Sequence, residues 1–415
     1  MSHSGGASAD GFALDGQRWR ARLRRSGILA RIFRDGGVAR PGAAARLAGE
    51  RSDRDHEHKT PSHASSIRVM ASALRIGVMG AGAIGCYVGG CLAADGADVV
   101  FVGRERVKKE LEASGLVLSD LDGSTGRVVA KDRIVFATEA SALADCDVVL
   151  CCVKSGQTRE TGEQLAEVLK SRAIVASLQN GVRNADVLRE CLGDRIVLGG
   201  IVSFNVVSKG GGTFRRATSG PLVLEKLETA ERDPRVADLT DMLTTASLAP
   251  QFVADIRPLQ WSKLIMNLNN AVGALSDRPT VDLLSVAGYR RILRALMSEA
   301  LGVLRAAKVK TGRLGPLPTS LLPIVLGLPA PLFRLIASAQ VKIDPSARSS
   351  MWEDLTRNRQ TEVDYLNGEV VRLAKEHGAA APLNARILEL VHAAEVAQQG
   401  SPALSPERFW SALTT

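Results

Sequence analysis

Residues 74–85 read LRIGVMGAGAIG. An apolar run with β-branched Ile76 and Val78 leads into Gly80-Ala81-Gly82-Ala83-Ile84-Gly85, and a helix-like run continues to residue 94. Strand, tight turn and helix, with G-x-G-x-x-G at the turn, is the arrangement that cradles the pyrophosphate of a dinucleotide. Each glycine has its own task. Gly80 permits the sharp turn off the strand, Gly82 lets backbone approach phosphate, and Gly85 lets helix pack against strand. The helix N-terminus then presents unpaired N–H groups to the anion. In a chain with 39 glycines the spacing alone is a weak signal. Its placement is stronger, because DVVFV at 98–102 completes a βαβ unit of about 30 residues. Residues Gly80 to Gly85 are therefore expected cofactor contacts.

The rest of the first half repeats the alternation. Short strands are expected at 116–119, 127–130, 147–153, 173–177, 196–202, 212–217 and 221–225, with helices to 111 and over 158–169. The first and second runs read as a hairpin, the third as a buried parallel strand. Alternation of this kind predicts an α/β fold with a Rossmann-type doubly wound parallel sheet and ligands at the strands' carboxyl ends. Near Asp255 the texture changes to long helical runs. The expected organisation is an extension over 1–73, a dinucleotide-binding domain over 74–254 and an all-helical substrate domain over 255–415. The substrate cleft is expected between the last two.

The charge of +9 suggests nucleic acid until it is located. Twelve arginines and one lysine against seven acids put +6 in residues 1–73, leaving +3 on the rest. A nucleic-acid partner thereby loses its support. The extension is rich in Gly, Ala, Ser and Arg, with one candidate basic helix at 23–33. It reads as disordered, or as preceding a true start at Met70, and its four histidines do not make a convincing metal site. The six cysteines form no CxxC pair and read as reduced core residues of a cytoplasmic protein. The longest uncharged stretch, 314–333, holds five prolines, which a membrane-spanning helix would hardly tolerate.

The nucleotide type is read after the second strand. A NAD enzyme usually places an acid there for the ribose 2′-hydroxyl, but this strand ends in Gly103-Arg104. Arginine offers a forked, permanent charge to a 2′-phosphate, so the expected cofactor is NADP(H). Glu105 complicates this, because it can pair with Arg104 or Arg106. Hydride chemistry needs a proton donor beside the carbonyl. No histidine occurs between His63 and His377, there is no Tyr-x-x-x-Lys pair, and no Cys/His cluster suits zinc. Lysine is left. In 259–275, LQWSKLIMNLNNAVGAL, residues Lys263, Asn267 and Asn270 fall on one stripe of a helix that is otherwise apolar. A buried charge must be paired or functional. Lys263 is thus the candidate acid, with Asn267 and Asn270 for substrate oxygens. Glu362, read on the core stripe with Leu366, Val370 and Leu373, is its candidate partner.

These residues carry a resemblance. From 74 to about 400 the chain resembles the ketopantoate reductases. The marks are GAGAIG, Lys154 in CVKSGQT, Asn180 in LQNG, Lys263 and Asn267 in WSKLIMN, and Ser350 and Glu362 in SSMWEDLTRNRQTEVDYLNG. The resemblance implies NADPH-dependent reduction of 2-dehydropantoate to pantoate, on the route to coenzyme A. It makes Lys263 the catalytic lysine, Glu362 the glutamate near it and near the cofactor, and Asn267 and Ser350 substrate contacts. Lys154 and Asn180 become cofactor- and substrate-side positions. A homodimer is a candidate assembly. There are departures. A second family asparagine aligns with Ala271, another near Ala347, and the proline-rich segment 312–344 is longer than usual and a candidate cover for the cleft. Three other readings compete: a reductase of another branched or aromatic 2-oxo acid, an NADP-binding sensor without turnover, and a β-hydroxyacid dehydrogenase. The acid–base pair speaks against the sensor, and TE-x-DYLNG against the dehydrogenase.

Overall fold

Strand β1 (Arg75–Met79) carries side chains that are nearly all buried, as expected of a strand covered on both faces. It feeds α1 (Ala83–Ala94), whose small residues let it lie close on the sheet. β2 (Asp98–Val102) pairs parallel to β1, with Gly77 opposite Val100. The computed structural model describes residues 74–121, 125–315, 317–338 and 347–415. The extension at 1–73, its candidate helix and the start at Met70 lie outside the described residues, as does 339–346 of the proline-rich segment.

α2 (Glu105–Ser114), β3 (Leu116–Ser119), β4 (Thr125–Val129) and β5 (Val135–Ala137) follow. Then come β6 (Val148–Cys151), α3 (Thr158–Val168), β7 (Ile174–Ser177), α4 (Asn184–Leu192) and β8 (Val197–Val202). β9 (Val206–Gly210), β10 (Thr213–Arg216), β11 (Leu222–Glu225), α5 (Glu228–Glu231), α6 (Pro234–Thr245) and β12 (Gln251–Val253) complete this half. The main sheet runs β12-β11-β8-β7-β6-β1-β2-β5. From β8 to β5 all pairings are parallel. This is the doubly wound order, with its switch point between β1 and β6.

Two details differ from the all-parallel reading. β11 pairs antiparallel to β8. β9 and β10 leave the main sheet and join the β3–β4 hairpin in a second sheet, β4-β3-β10-β9. Hydrophobic alternation marks a strand but not its neighbour, so membership had to come from packing. The second sheet covers α1, where a Cβ on Gly90 would meet Leu118 at 3.0 Å.

From residue 257 on, the described residues form only helices: α7 (Arg257–Asn267), α8 (Asn269–Ser276), α9 (Thr280–Ser285), α10 (Ala287–Ala306), α11 (Leu322–Leu326) and α12 (Ala330–Ser338). α13 (Ser350–Thr356), α14 (Val363–Glu376), α15 (Pro382–Ala397) and α16 (Pro406–Thr414) close the chain. Among the described residues no helix is long and apolar enough to cross a membrane. α10 is the hub: Ile292, Leu293, Leu296 and Ala300 are buried on one face against α14 and α15. Both halves belong to one compact unit. They share a small apolar seam of Ile201, Val223 and Ile256, with Leu259 and Leu314 against it.

The single helix expected over 259–275 is two. It breaks at Leu268, whose N–H reaches both Leu264 and Ile265 carbonyls in a tightened turn. Three asparagines around Leu268 weaken the helix there, since their side chains compete with backbone hydrogen bonds. The cysteines make no disulfide; four are buried and two half-buried. Burial pushes the Cys86 thiol up to about 12, so it is inert at neutral pH.

Candidate active site

The glycine turn has three distinct geometries. Gly80 has φ +101°, and a Cβ there would lie 2.6 Å from Val153 N. A Cβ on Gly85 would stand 2.4 Å from the Gly80 carbonyl oxygen. Gly82 is exposed, and its Cβ would meet nothing within 4 Å. The first two glycines are required by the protein's own packing. Gly82 is not, and the open space beside it, at the N-terminus of α1, fits a dinucleotide's pyrophosphate. Ala81, Ala83 and Ile84 line the same turn.

Arg104 caps α2 and is exposed. Its neighbours do not take it: Glu105 lies 3.7 Å from Lys109, and Arg106 3.1 Å from Glu110. At Gly103 a Cβ would be 2.8 Å from the Ala81 Cβ, so an acidic side chain has no room there.

The carboxyl ends of β6 and β7 reach the helical half. Ser155 N donates to Glu362 Oε1 at 3.0 Å, and Ser155 Oγ lies 2.8 Å from the same oxygen. Asn180 Nδ2 donates to Oε2 at 3.4 Å. Glu362 thus sits at the N-cap of α14 rather than on its core stripe, which Leu366, Val370 and Leu373 fill. A residue at the helix boundary has non-helical backbone angles, so the period does not carry its side chain inward. Ser155 is itself held from behind. Asn184 donates to its Oγ at 3.2 Å, Thr158 Oγ1 to Asn184 Oδ1 at 2.9 Å, and Gln179 Nε2 to Thr158 Oγ1 at 2.7 Å. This fully buried polar cluster makes the mount for Glu362 rigid.

Lys263 is half-buried, and among the described residues it makes no ion pair within 4 Å. Burial pushes its ammonium down from 10.5 to about 8, while the charge of Glu362 pulls it up. The two act on each other electrostatically without a direct bridge. Half-buried Asn267 and Asn270 share the open side of this stretch with Lys263 and the 45% exposed Met266. Asn270 offers its carbonyl to Ser349 Oγ at 3.0 Å. Ser349 also caps α13, accepting from Trp352 N, so the exposed Ser350 is the hydroxyl left open. Ala271 is fully buried.

Lys154 points across the seam: its Nζ lies 2.6 Å from Asp354 Oδ2 and donates to the Gln360 carbonyl at 3.1 Å. Ser155, Asn184 and Asp354 were missed as functional positions. Their signal was present: Ser155 follows a strand end in CVKSGQT, Asn184 opens a helix, and Asp354 begins the largely polar run DLTRNRQTE. Among the described residues no group of His, Cys, Asp and Glu could hold a metal.

A family model described as "Ketopantoate reductase PanE/ApbA" matches residues 76–229, and its C-terminal counterpart matches 255–395. The chain belongs to the ketopantoate reductase family. The 2-dehydropantoate 2-reductase of Halobacterium salinarum is 30% identical over 78% of this chain and 99% of its own length. That of Archaeoglobus fulgidus is 29% identical over 77% and 98%. The crystal structure of a PanE/ApbA family ketopantoate reductase from Ralstonia eutropha JMP134 superposes with a TM-score of 0.65 at 31% identity, covering 79% of this chain and all of that one. D-mandelate dehydrogenase, solved with NADH and anilino(oxo)acetate, shares the fold at 22% identity and a TM-score of 0.64, over 78% and 99% of the two chains. The family's fold is the one described above: a parallel-sheet half followed by a helical half.

Proposed function

We propose that the chain reduces 2-dehydropantoate to pantoate with NADPH, Lys263 acting as the general acid. The observation that carries this reading is the state of Lys263: half-buried, held near pH 8 by burial, without an ion pair among the described residues, and facing a fixed carboxylate. A lysine so placed is an acid tuned toward neutrality. The relatives' printed activity supports the substrate.

A reduced dinucleotide held by its pyrophosphate at the glycine turn would supply the hydride. The chain's residues do the rest. Protonated Lys263 stabilises the negative charge growing on the C2 oxygen and gives it a proton. Glu362, clamped by Ser155 and Asn180, keeps the ammonium charged until that moment. The open amides of Asn267 and Asn270 and the hydroxyl of Ser350 orient the oxo acid's oxygens. Exposed Arg104 takes the 2′-phosphate, and the absence of room for an acid at Gly103 favours NADP(H) over NAD(H). Lys154 is the second cation at the coenzyme mouth. We read residues 74–254 as the coenzyme domain and 255–415 as the substrate domain.

The same chemistry on another branched or aromatic 2-oxo acid is the second reading. It draws on the departures at Ala271 and Ala347, where the resemblance expects amides. A panel of 2-oxo acids assayed with NADPH and NADH decides: turnover greatest with 2-dehydropantoate and NADPH is expected. Greater turnover with another oxo acid replaces the substrate only, and no turnover with any removes the reductase reading.

A further inference from the structure

Two consecutive residues just after β6 bind two acids at the two ends of the link from α13 to α14. Ser155 holds Glu362, and Lys154 holds Asp354. Asp354 is 4% exposed, yet it faces two cations: Lys154 Nζ at 2.6 Å on one oxygen and Arg359 Nη2 at 3.1 Å on the other. The cations themselves are about one-third open to solvent. A buried carboxylate with a single partner cannot lose it cheaply. A carboxylate with two partners can release one. Arg359 is fixed beside Asp354 by its own backbone, its N–H donating to the Asp354 carbonyl at 2.8 Å, so it stays when Lys154 leaves. Lys154 in turn follows directly on Val153, whose N–H packs under the glycine turn. One lysine therefore stands between the coenzyme mouth and the segment that runs through Gln360 into Glu362.

We propose that Asp354 is a positioning residue that competes with the coenzyme's phosphate oxygens for Lys154, coupling coenzyme binding to the placement of Glu362. The proposal rests on the reading of Lys154 as a coenzyme contact. With Lys154 on Asp354, the Gln360 carbonyl is tethered to the end of β6. With Lys154 drawn to phosphate, that tether is released two residues before Glu362. Linkage makes the coupling reciprocal: whatever weakens the Lys154–Asp354 pair strengthens coenzyme binding.

The test is calorimetric titration of the full chain with NADP+ and with NAD+. Asp354→Asn keeps the shape and removes the charge, and should tighten NADP+ binding about two- to fivefold, the range for a partly exposed ion pair. Lys154→Met should weaken binding, and in its background Asp354→Asn should change nothing. Arg359→Gln should act in the opposite direction, weakening NADP+ because Asp354 then depends on Lys154 alone. This variant keeps the test alive if Asp354→Asn fails to fold. Tightening for NADP+ alone places the competing oxygens on the 2′-phosphate, and tightening for both nucleotides places them on the pyrophosphate; either supports the exchange. Tightening that needs Lys154 separates the exchange from a general loss of negative charge near the coenzyme. Asp354→Asn binding no better than wild type, or improving binding equally without Lys154, overturns the proposal. Unchanged binding in Lys154→Met overturns it as well, while turnover of the 2-oxo acid panel leaves the reductase reading standing.

Discussion

Lys263 carries a charge that its surroundings oppose. Its ordinary value of 10.5 is lowered to about 8 by burial, so at neutral pH it is still protonated and ready to donate. The direction of the pH profile follows. Oxo-acid reduction needs the protonated form, so kcat/KM for reduction should fall as pH rises through about 8, while oxidation of the hydroxy acid should rise over the same range. Stability has its own sign. Between about 8 and 10.5 the unfolded chain binds more protons at this lysine than the folded one, so this residue's contribution rises with pH there. Lys263→Ala should lower kcat by about 10²–10⁴-fold and leave coenzyme affinity unchanged. Stopped-flow turnover with a parallel binding titration checks both, and a variant within a few-fold of wild type removes Lys263 from the chemistry. At Arg104 the expectation is selective. Arg104→Ala should weaken NADPH by about 1.5–3 kcal/mol and leave NADH nearly untouched. Equal loss for both coenzymes argues against a 2′-phosphate contact.

The glycine turn separates packing from binding within one element. A methyl on Gly85 drives into the Gly80 carbonyl, so Gly85→Ala should cost about 1–3 kcal/mol of stability, read as a lower midpoint in thermal unfolding. A methyl on Gly82 meets no protein atom, so Gly82→Ala should melt with the wild type yet bind NADP+ at least about tenfold more weakly. Wild-type affinity in Gly82→Ala would mean that the open space beside this residue is not the phosphate seat. The break between α7 and α8 belongs to this scale too. Five residues after Lys263 the helix tightens at Leu268, so Asn270 belongs to α8 while Lys263 and Asn267 belong to α7.

At the scale of the molecule, the site exists only because two halves meet. Glu362 comes from the helical half and its three hydrogen bonds come from Ser155 and Asn180 of the sheet half. Ser155→Ala should therefore lower kcat more than it lowers the unfolding midpoint, since Glu362 loses one of its three orienting bonds while the hydrophobic core is untouched. The matched family models begin at residue 76. A chain beginning at Met70 should accordingly retain full reductase turnover, and a drop in kcat or in folded yield would assign residues 1–69 a role.

What the sequence by itself determined is local. Short apolar runs, glycines at a turn and the change of texture at Asp255 are short-range signals, and they sufficed for β1, α1, β2, the parallel core strands and the helical half. Lys263 was legible because a lysine among apolar helical neighbours is conspicuous. What only the tertiary structure decided is pairing. β11 turned antiparallel and β9–β10 moved to a second sheet, because alternation says nothing of which strand lies alongside. Glu362 left the core stripe for a cap position because its direction is set by Ser155, 207 residues away. Lys154 met Asp354 for the same reason: a buried carboxylate takes its partner from whatever the fold brings near, and that proximity is written in no local pattern.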